Sequence, residues 1–466
     1  MALRKSLLAA ICIFALLIGL CVSVGADELR GAWVTSWTRG FFTPQEIDAT
    51  VSAAKKAGIN ALFIEVRKFA DAYYDSKIEP RGDGMAPDFD ALAYTLKKAH
   101  AEGIQVHAWV VVYRAWCGAK TGPKDPKHII NKHPDWVLLS KDGKNWAGEG
   151  IYLDPGVPAA REYIVSVFED IAKRYNVDGI HYDYVRYPGN QWGYSDAALK
   201  QYYADTGAKA KPAVDDPKWL QWKRDQVTAL VKLSKEKIKA ANPKIAISAA
   251  TICWGGVPND FTKTSPYVSV SQDWRMWMEK GLIDINIPMN YKTEDKYGKA
   301  FRLWADAAGK WSAGGLVYQG LGAEYQSPEN IVTQIKYCRS IGQKGFLLFS
   351  FNQGKRRDAL VPVLGAALGP APKLTINAID YKVEARRTYG RGIDLAVASK
   401  TDEAIAQFKK AIDFDPEYAD AHFRLGRCYL KVKDYPAAKA SFLKTLELDP
   451  TYESAKKELD LLDQQT

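Results

Sequence analysis

Cysteine is scarce, six in 466 residues, and no two of the six form a CxxC pair. That excludes a zinc ribbon, a redox dithiol and a disulfide-dense scaffold. Histidine is equally scarce. No HExxH or close His/Asp triplet accompanies His107 and His181, so no metal is assigned. Gly320-Leu321-Gly322 lacks the third glycine and the setting of a dinucleotide loop and reads as a turn. No nucleophile-elbow motif supports Ser-His-Asp chemistry. No cofactor is therefore expected. Lys/Arg-rich runs and aromatic-basic repeats are also missing, which argues against nucleic acid as a partner.

What is present is enough apolar chain for more than one core. Hydrophobic residues make up 47% and charged residues 25%, which excludes wholesale disorder, and 466 residues call for two or more domains. Arg4-Lys5 precedes an apolar run from Leu7 to Val24, which ends at Val24-Gly25-Ala26 before the charged Asp27-Glu28. This reads as a signal peptide over 1–26, giving a secreted or periplasmic protein with no stable membrane span after cleavage. A membrane anchor is the alternative, because the run is near the lower length limit for spanning. Leu20 is too bulky for the residue before a lipoprotein Cys21. Losing Arg4 and Lys5 takes the formal charge from +10 to +8, a mild bias toward anionic polymers such as a bacterial wall. Cys117, Cys253, Cys338 and Cys428 remain, and a Cys117–Cys253 bridge at a barrel mouth stays open.

Between Arg30 and about Leu368, short β-rich runs alternate with helical patterns, which predicts a parallel α/β barrel over 27–369. Eight strands are expected: Arg30–Trp37, Ala61–Arg67, Gln105–Tyr113, Gly179–Val185, Lys244–Thr251, Asp284–Tyr291, Gly314–Gly320 and Gly345–Phe351. That count matches a (β/α)8 TIM barrel with long loops. Thr43-Pro44, Asp154-Pro155 and Ser327-Pro328 read as helix starts. Strand alternation groups Glu65 and Arg67 with Phe63, and His107 with Trp109 and Tyr113. It sets Asn286 and Asn290 opposite Ile285, Ile287 and Met289. Polar residues facing a barrel axis are costly unless satisfied or used, so these groups suggest a shared site.

The densest signal is Val177 to Pro188, where a β-rich run ends in a carboxylate, an arginine and three tyrosines before a Pro-Gly turn. Asp183 then stands at the carboxyl edge of the barrel, where such enzymes keep their chemistry. A carboxylate among aromatic rings suits sugar cleavage, since the acid acts at the acetal while the rings pack on the sugar. Asp183 is the first candidate for nucleophile or base. Its partner is open between two residues. Glu65 faces the mouth beside Arg67, which would keep it ionised, and Asp273 precedes a helix it could simply cap. Asp178 and Asp284 begin their strands and read as turn residues. Trp37, Trp109, Tyr182, Tyr184, Tyr187 and Tyr291 offer stacking surfaces. Arg67, His107, His181, Arg186 and Asn290 offer polar contacts. Trp33 reads as barrel packing.

A Pro-Ala-Pro linker over 370–382 leads to a different pattern over 383–466. Pro416 and Pro450, Ala404 and Ala438, and Phe408 and Phe442 are each 34 residues apart. The spacing resembles tetratricopeptide repeats, two of them with a capping helix from about Glu453. Such repeats bind a protein partner in a groove, or here pack as an appendage.

Arg30-Gly31-Ala32-Trp33-Val34, Phe63 to Arg67 followed by Asp71-Ala72-Tyr73-Tyr74, and Val106-His107-Ala108-Trp109 recur in order with Val177 to Pro188. Asp154-Pro155-Gly156 before Arg161-Glu162-Tyr163, Gln272 to Trp277 and Asp284 to Tyr291 complete the set. Together, over roughly 29–355, they resemble the glycoside-hydrolase-like family ten of bacteria, also called DUF187. The resemblance implies a TIM barrel, an extracytoplasmic setting and hydrolysis of glycosidic bonds in a polysaccharide, with peptidoglycan glycan strands the best guess. That family often carries Gln where Glu65 stands and Asn where Asp154 stands. The alternative is a non-catalytic glycan-binding scaffold whose repeats recruit a protein.

Overall fold

The computed structural model describes residues 28–372, 374 and 381–463. The expected signal peptide and much of the linker lie outside the described residues. The barrel strands are β1 Leu29–Val34, β2 Ala61–Arg67, β3 Gln105–Val111, β4 Gly179–Asp183, β5 Ala246–Thr251, β6 Ile285–Pro288 and β8 Gly345–Phe349. Between the last two, β7 comes in two pieces, Leu316–Val317 and Gln319–Gly322. The first piece pairs with β6 and the second with β8, all in parallel. Since β8 also pairs with β1, the sheet closes on itself through one interrupted strand, and the fold is a (β/α)8 barrel.

Eight main helices follow the strands: α1 Pro44–Lys56, α2 Ala91–Ala101, α3 Pro158–Arg174, α4 Pro217–Ala241, α5 Trp274–Glu279, α6 Glu294–Lys310, α7 Pro328–Ser340 and α8 Lys355–Leu368. Thr43 and Ser327 cap α1 and α7 with Pro at the first helical position, as the dipeptides predict. Asp154-Pro155 does not start α3. The helix begins at Pro158, and the buried Asp154 instead accepts from Ser195 Oγ at 2.7 Å and Gly156 N at 2.9 Å.

Strand alternation separates two cores. Leu29, Trp33, Phe63, Trp109, Ile285 and Ile287 fill the barrel interior, while Ala32, Ile64, Val66, Val106 and Ile180 pack outward in the layer shared with the helices. In β6 the isoleucines therefore face the axis, and Asn286 lies on the other side, accepting from Thr251 Oγ1 at 2.6 Å. Gly179 has a specific use: a Cβ there would lie 2.0 Å from His107 Nδ1, so only glycine lets that imidazole fill the interior layer.

Two further features position the site. After β3 the chain makes an excursion over residues 117–150, whose ends are stapled by an antiparallel pair, Arg114–Trp116 with Ile151–Tyr152. At the opposite, amino-terminal end of the barrel, the buried Arg30 donates through Nη1 to the carbonyls of Leu368 at 3.1 Å, Gly369 at 3.2 Å and Pro370 at 3.3 Å. Asn60 Nδ2 donates to Pro372 O at 3.1 Å, and Leu374 packs against the interior core. The chain leaving α8 is thus pinned beneath the barrel. The four described cysteines are free thiols, so Cys117 and Cys253 are not bridged. No described helix is long and apolar enough to cross a membrane.

The carboxyl-terminal region is a helical array: α9 Tyr381–Val397, α10 Thr401–Phe414, α11 Ala419–Lys431, α12 Tyr435–Leu448 and α13 Glu453–Asp463. The 34-residue period has a packing cause. A Cβ at Gly426 would lie 2.6 Å from the ring of Phe442, and a Cβ at Gly392 would lie 2.6 Å from the ring of Phe408. Each glycine lets a phenylalanine of the next helix lie against its backbone. Gly426→Val should therefore cost the array about 1–3 kcal/mol by overpacking. In a thermal scan followed by far-UV circular dichroism, an early transition should appear while near-UV signals of the barrel keep their midpoint.

Candidate active site

The carboxyl ends of the strands surround a cleft of about 370 Å³, within the size range of small-molecule sites. Its floor is Trp33 and Trp109, its walls include Tyr291 and Phe349, and Trp37 and Trp254 stand half-exposed at the rim. Tyr291 and Phe349 stack with centroids 5.0 Å apart and planes 21° apart. Aromatic faces of this kind cover the apolar faces of a sugar ring.

Three carboxylates reach the cleft, Glu65 from β2, Asp183 from β4 and Glu149 from the excursion. Asp183 is nearly wholly buried and has a donor on each oxygen. Its own neighbour Tyr184 donates from N to Oδ1 at 2.7 Å, and Trp109 donates from Nε1 to Oδ2 at 3.2 Å. Burial raises its pKa above the usual aspartate value, opposed by the positive charge of Arg114, the Tyr184 amide and Arg186. Glu65 is arranged differently. Oε2 accepts from both Ser36 N at 2.7 Å and Ser36 Oγ at 2.8 Å, while Oε1 is buried without a partner among the described residues. Burial is the largest influence on Glu65 and pushes its pKa up to about 7. A proton on this group belongs on Oε1, because Oε2 already faces two donors.

Tyr184 follows Asp183 with φ of 50°, in the left-handed region. The turn ends strand alternation and swings the ring into the cleft, where the Arg114 and Arg186 guanidinium carbons lie 3.8 Å and 4.7 Å from its centroid. Arg114 Nη1 also donates to Tyr184 Oη at 2.7 Å. Arg186 Nη2 meets Glu149 Oε2 at 3.3 Å, and Tyr152 Oη donates to the same oxygen at 3.0 Å. Under the floor, Trp33 Nε1 donates to His181 Nε2 at 3.1 Å. Since an indole can only donate, His181 carries its proton on Nδ1, which lies 2.9 Å from Ser248 Oγ. Burial keeps His181 neutral, and it does not line the cleft.

Residues 28–338 match the family described as Glycosyl hydrolase-like 10, and residues 397–459 match a tetratricopeptide repeat. The chain belongs to the glycosyl hydrolase-like 10 family. It is 30% identical over 306 residues to Glycosyl hydrolase YngK of Bacillus subtilis strain 168, covering 60% of this chain and 57% of that protein. With Glycosyl hydrolase DigH of Escherichia coli K12 it shares 28% identity over 281 residues, 54% of this chain and 60% of that protein. The chain thus spans about three fifths of the length of these relatives. Among solved structures, alpha-L-fucosidase isoenzyme 2 from Paenibacillus thiaminolyticus has a TM-score of 0.54 at 15% identity, covering 73% of this chain and 48% of that one. The PgaB (BpsB) glycoside hydrolase domain from Bordetella bronchiseptica also has a TM-score of 0.54 at 15% identity, covering 72% and 99%. Both share the barrel fold.

Within this family member, several residues expected from the sequence do not reach the cleft. The β2–β3 register shifts between Glu65 and Arg67, so the two do not share a face. Arg67 is buried elsewhere, with Nε 2.9 Å from both oxygens of Glu79 and Nη1 donating to Val112 O at 2.9 Å. It therefore does not hold Glu65 ionised. Asp273 caps α5, accepting from Met276 N at 3.2 Å, and does not line the cleft. His107 stacks on Phe63 with centroids 4.2 Å apart inside the barrel, where burial pulls its pKa down to about 4. Tyr182 points outward, bonded to Ser234 Oγ at 2.8 Å. Tyr187 is also buried away from the cleft. Asn290 is buried and donates to Phe301 O at 3.0 Å and Gln319 Oε1 at 3.1 Å.

The cleft does bring together Glu65, Asp183, Trp37, Trp109, Tyr184, Arg186 and Tyr291. It adds Arg114, Glu149, Trp254, Tyr325 and Phe349, which sequence reasoning did not select. Arg114 directly follows the predicted third strand and was legible by that rule. Glu149 lies far from any strand, and only the pairing of Ile151–Tyr152 with Arg114–Trp116 returns it to the mouth.

The raised pKa of Glu65 has a stability consequence. Between about pH 4.5 and 7 the native state keeps a proton that the unfolded chain has released, so stability falls as pH rises through that window. Glu65→Gln should remove up to about 3 kcal/mol of that fall, read from urea unfolding at several pH values across the window.

Proposed function

We propose that this protein is a glycoside hydrolase in which Asp183 and Glu65 divide the two carboxyl roles. The observation that carries this reading is their contrast within one aromatic cleft. Asp183 has a donor on each oxygen and two guanidiniums nearby, which offset part of the cost of burying its anion. Glu65 has one oxygen without a partner among the described residues and a pKa pushed up to about 7, so a large fraction carries a proton at neutral pH. In this scheme Glu65 Oε1 gives its proton to the glycosidic oxygen as the bond to the anomeric carbon breaks. Asp183 stabilises the developing positive charge, either by attacking that carbon or by taking a proton from the water that does. Trp33, Trp109 and the Tyr291–Phe349 pair hold the ring and exclude water.

The substrate we propose is the glycan strand of a bacterial wall, reached after export. The apolar leader and the basic balance of the chain support that setting. The repeats are proposed to carry a protein contact, as tetratricopeptide arrays generally do. Purified sacculi, with and without stem peptides, should release new reducing ends on incubation with the protein. Asp183→Asn should reduce the rate at least a thousandfold. Glu65→Gln should slow it about a hundredfold or more and remove the decline of rate on the alkaline side of about pH 7, the size expected of general acid catalysis. Binding of the glycan without release by the unaltered protein would favour the scaffold reading instead.

A further inference from the structure

Arg114 and Arg186 are charged groups buried at the cleft with donors left over. Residue exposure is 6% for Arg114 and 3% for Arg186, yet Arg114 Nε and both Nε and Nη1 of Arg186 have no hydrogen-bond partner among the described residues. Two other buried guanidiniums of the barrel, those of Arg67 and Arg30, are matched to carboxylates, whereas Arg224 and Arg357 meet neutral oxygens. Arg67 meets both oxygens of Glu79 at 2.9 Å, and Arg30 Nε donates to Glu28 at 2.7 Å. The carboxylate facing Arg186 is Glu149, at 3.3 Å, and its side chain is 47% exposed on the excursion. A buried guanidinium with unmade hydrogen bonds is costly, unless a ligand supplies the acceptors.

We propose that Arg114 and Arg186 form a subsite for a carboxylate carried by the substrate, so that the sugar bound beside them is an acidic one. This rests on the hydrolase reading and narrows its substrate class. The planar fork of Arg186 matches a carboxylate, which would displace the long contact to Glu149. Arg114, held by its bond to Tyr184 Oη and stacked on the same ring, supplies a second positive charge nearby. A carboxylate on an ether side chain of an amino sugar and the carboxylate of a uronic acid present the same chemistry.

The test compares kcat/KM on three soluble oligosaccharide series. One is neutral and built of N-acetylglucosamine, one has the same backbone with ether-linked carboxylates on alternate sugars, and one contains uronic acids. One of the two acidic series should exceed the neutral series at least tenfold, and which one does so names the source of the carboxylate. Arg186→Lys keeps a charge near Asp183 but loses the fork. It should retain the pH profile of the unaltered protein while its preference for acid falls at least fivefold. Arg186→Met should lose the preference as well, and Glu149→Gln, which removes the competing carboxylate, should raise it. Equal cleavage of neutral and acidic series overturns the subsite and leaves the hydrolase reading standing. If none is cleaved, quenching of tryptophan fluorescence by the same oligosaccharides decides. Selective binding of an acidic series upholds the subsite while the hydrolase reading fails, and unselective binding overturns the subsite.

Discussion

The left-handed turn at Tyr184 is the constraint on which the cleft depends. A bulky residue at φ of 50° costs on the order of 1–3 kcal/mol, and the surrounding contacts must hold it there. In return the backbone N–H of Tyr184 folds back onto Asp183, and the ring leaves the outer face that alternation would give it. Arg114 and Arg186 pack on that ring, so both positive charges of the cleft are located by the same turn. Asp183, the aromatic platform and the guanidinium pair thus form one unit at the end of β4.

The barrel interior sets the other half of the electrostatics. Below Asp183 and Glu65 lie Trp33, Trp109, Phe63 and two neutral imidazoles. The layer is nearly without charge, and burial is accordingly the largest influence on both carboxyls. What separates them is local. Asp183 receives donors on both oxygens, whereas Ser36 occupies one oxygen of Glu65 and leaves the other bare. A site with two carboxyls in unequal surroundings can hold one charged and one protonated at the same pH.

The ends of the barrel are handled separately. At the carboxyl end, the excursion between β3 and α3 brings Glu149 and Arg114 to the mouth. At the amino end, Arg30, Asn60 and Leu374 close the floor with the chain that follows α8. Changes in substrate preference can therefore accumulate on one end without loosening the other, which is the division of labour this fold generally shows.

The eight strand–helix units, the Thr43 and Ser327 caps, the 34-residue period and the place of Asp183 at a strand end were all legible, because each depends on residues close in sequence. Strand parity was legible only where the ladder is regular. It placed Glu65, Trp109 and Asp183 correctly, but one bulge after Glu65 sent Arg67 to Glu79, and the positive φ at Tyr184 reversed the expected face of that ring. Asp273 showed the opposite case, a carboxylate whose local capping role the sequence already offered and the fold kept. Sequence alone thus determined which elements form and which strand ends carry polar groups, since hydrophobic period and capping act within one or two turns. Tertiary structure alone decided that Glu65 is protonatable, that Glu149 reaches the mouth and that two arginines pack on one tyrosine. Those outcomes depend on burial and on contacts between segments tens of residues apart, which no local pattern encodes.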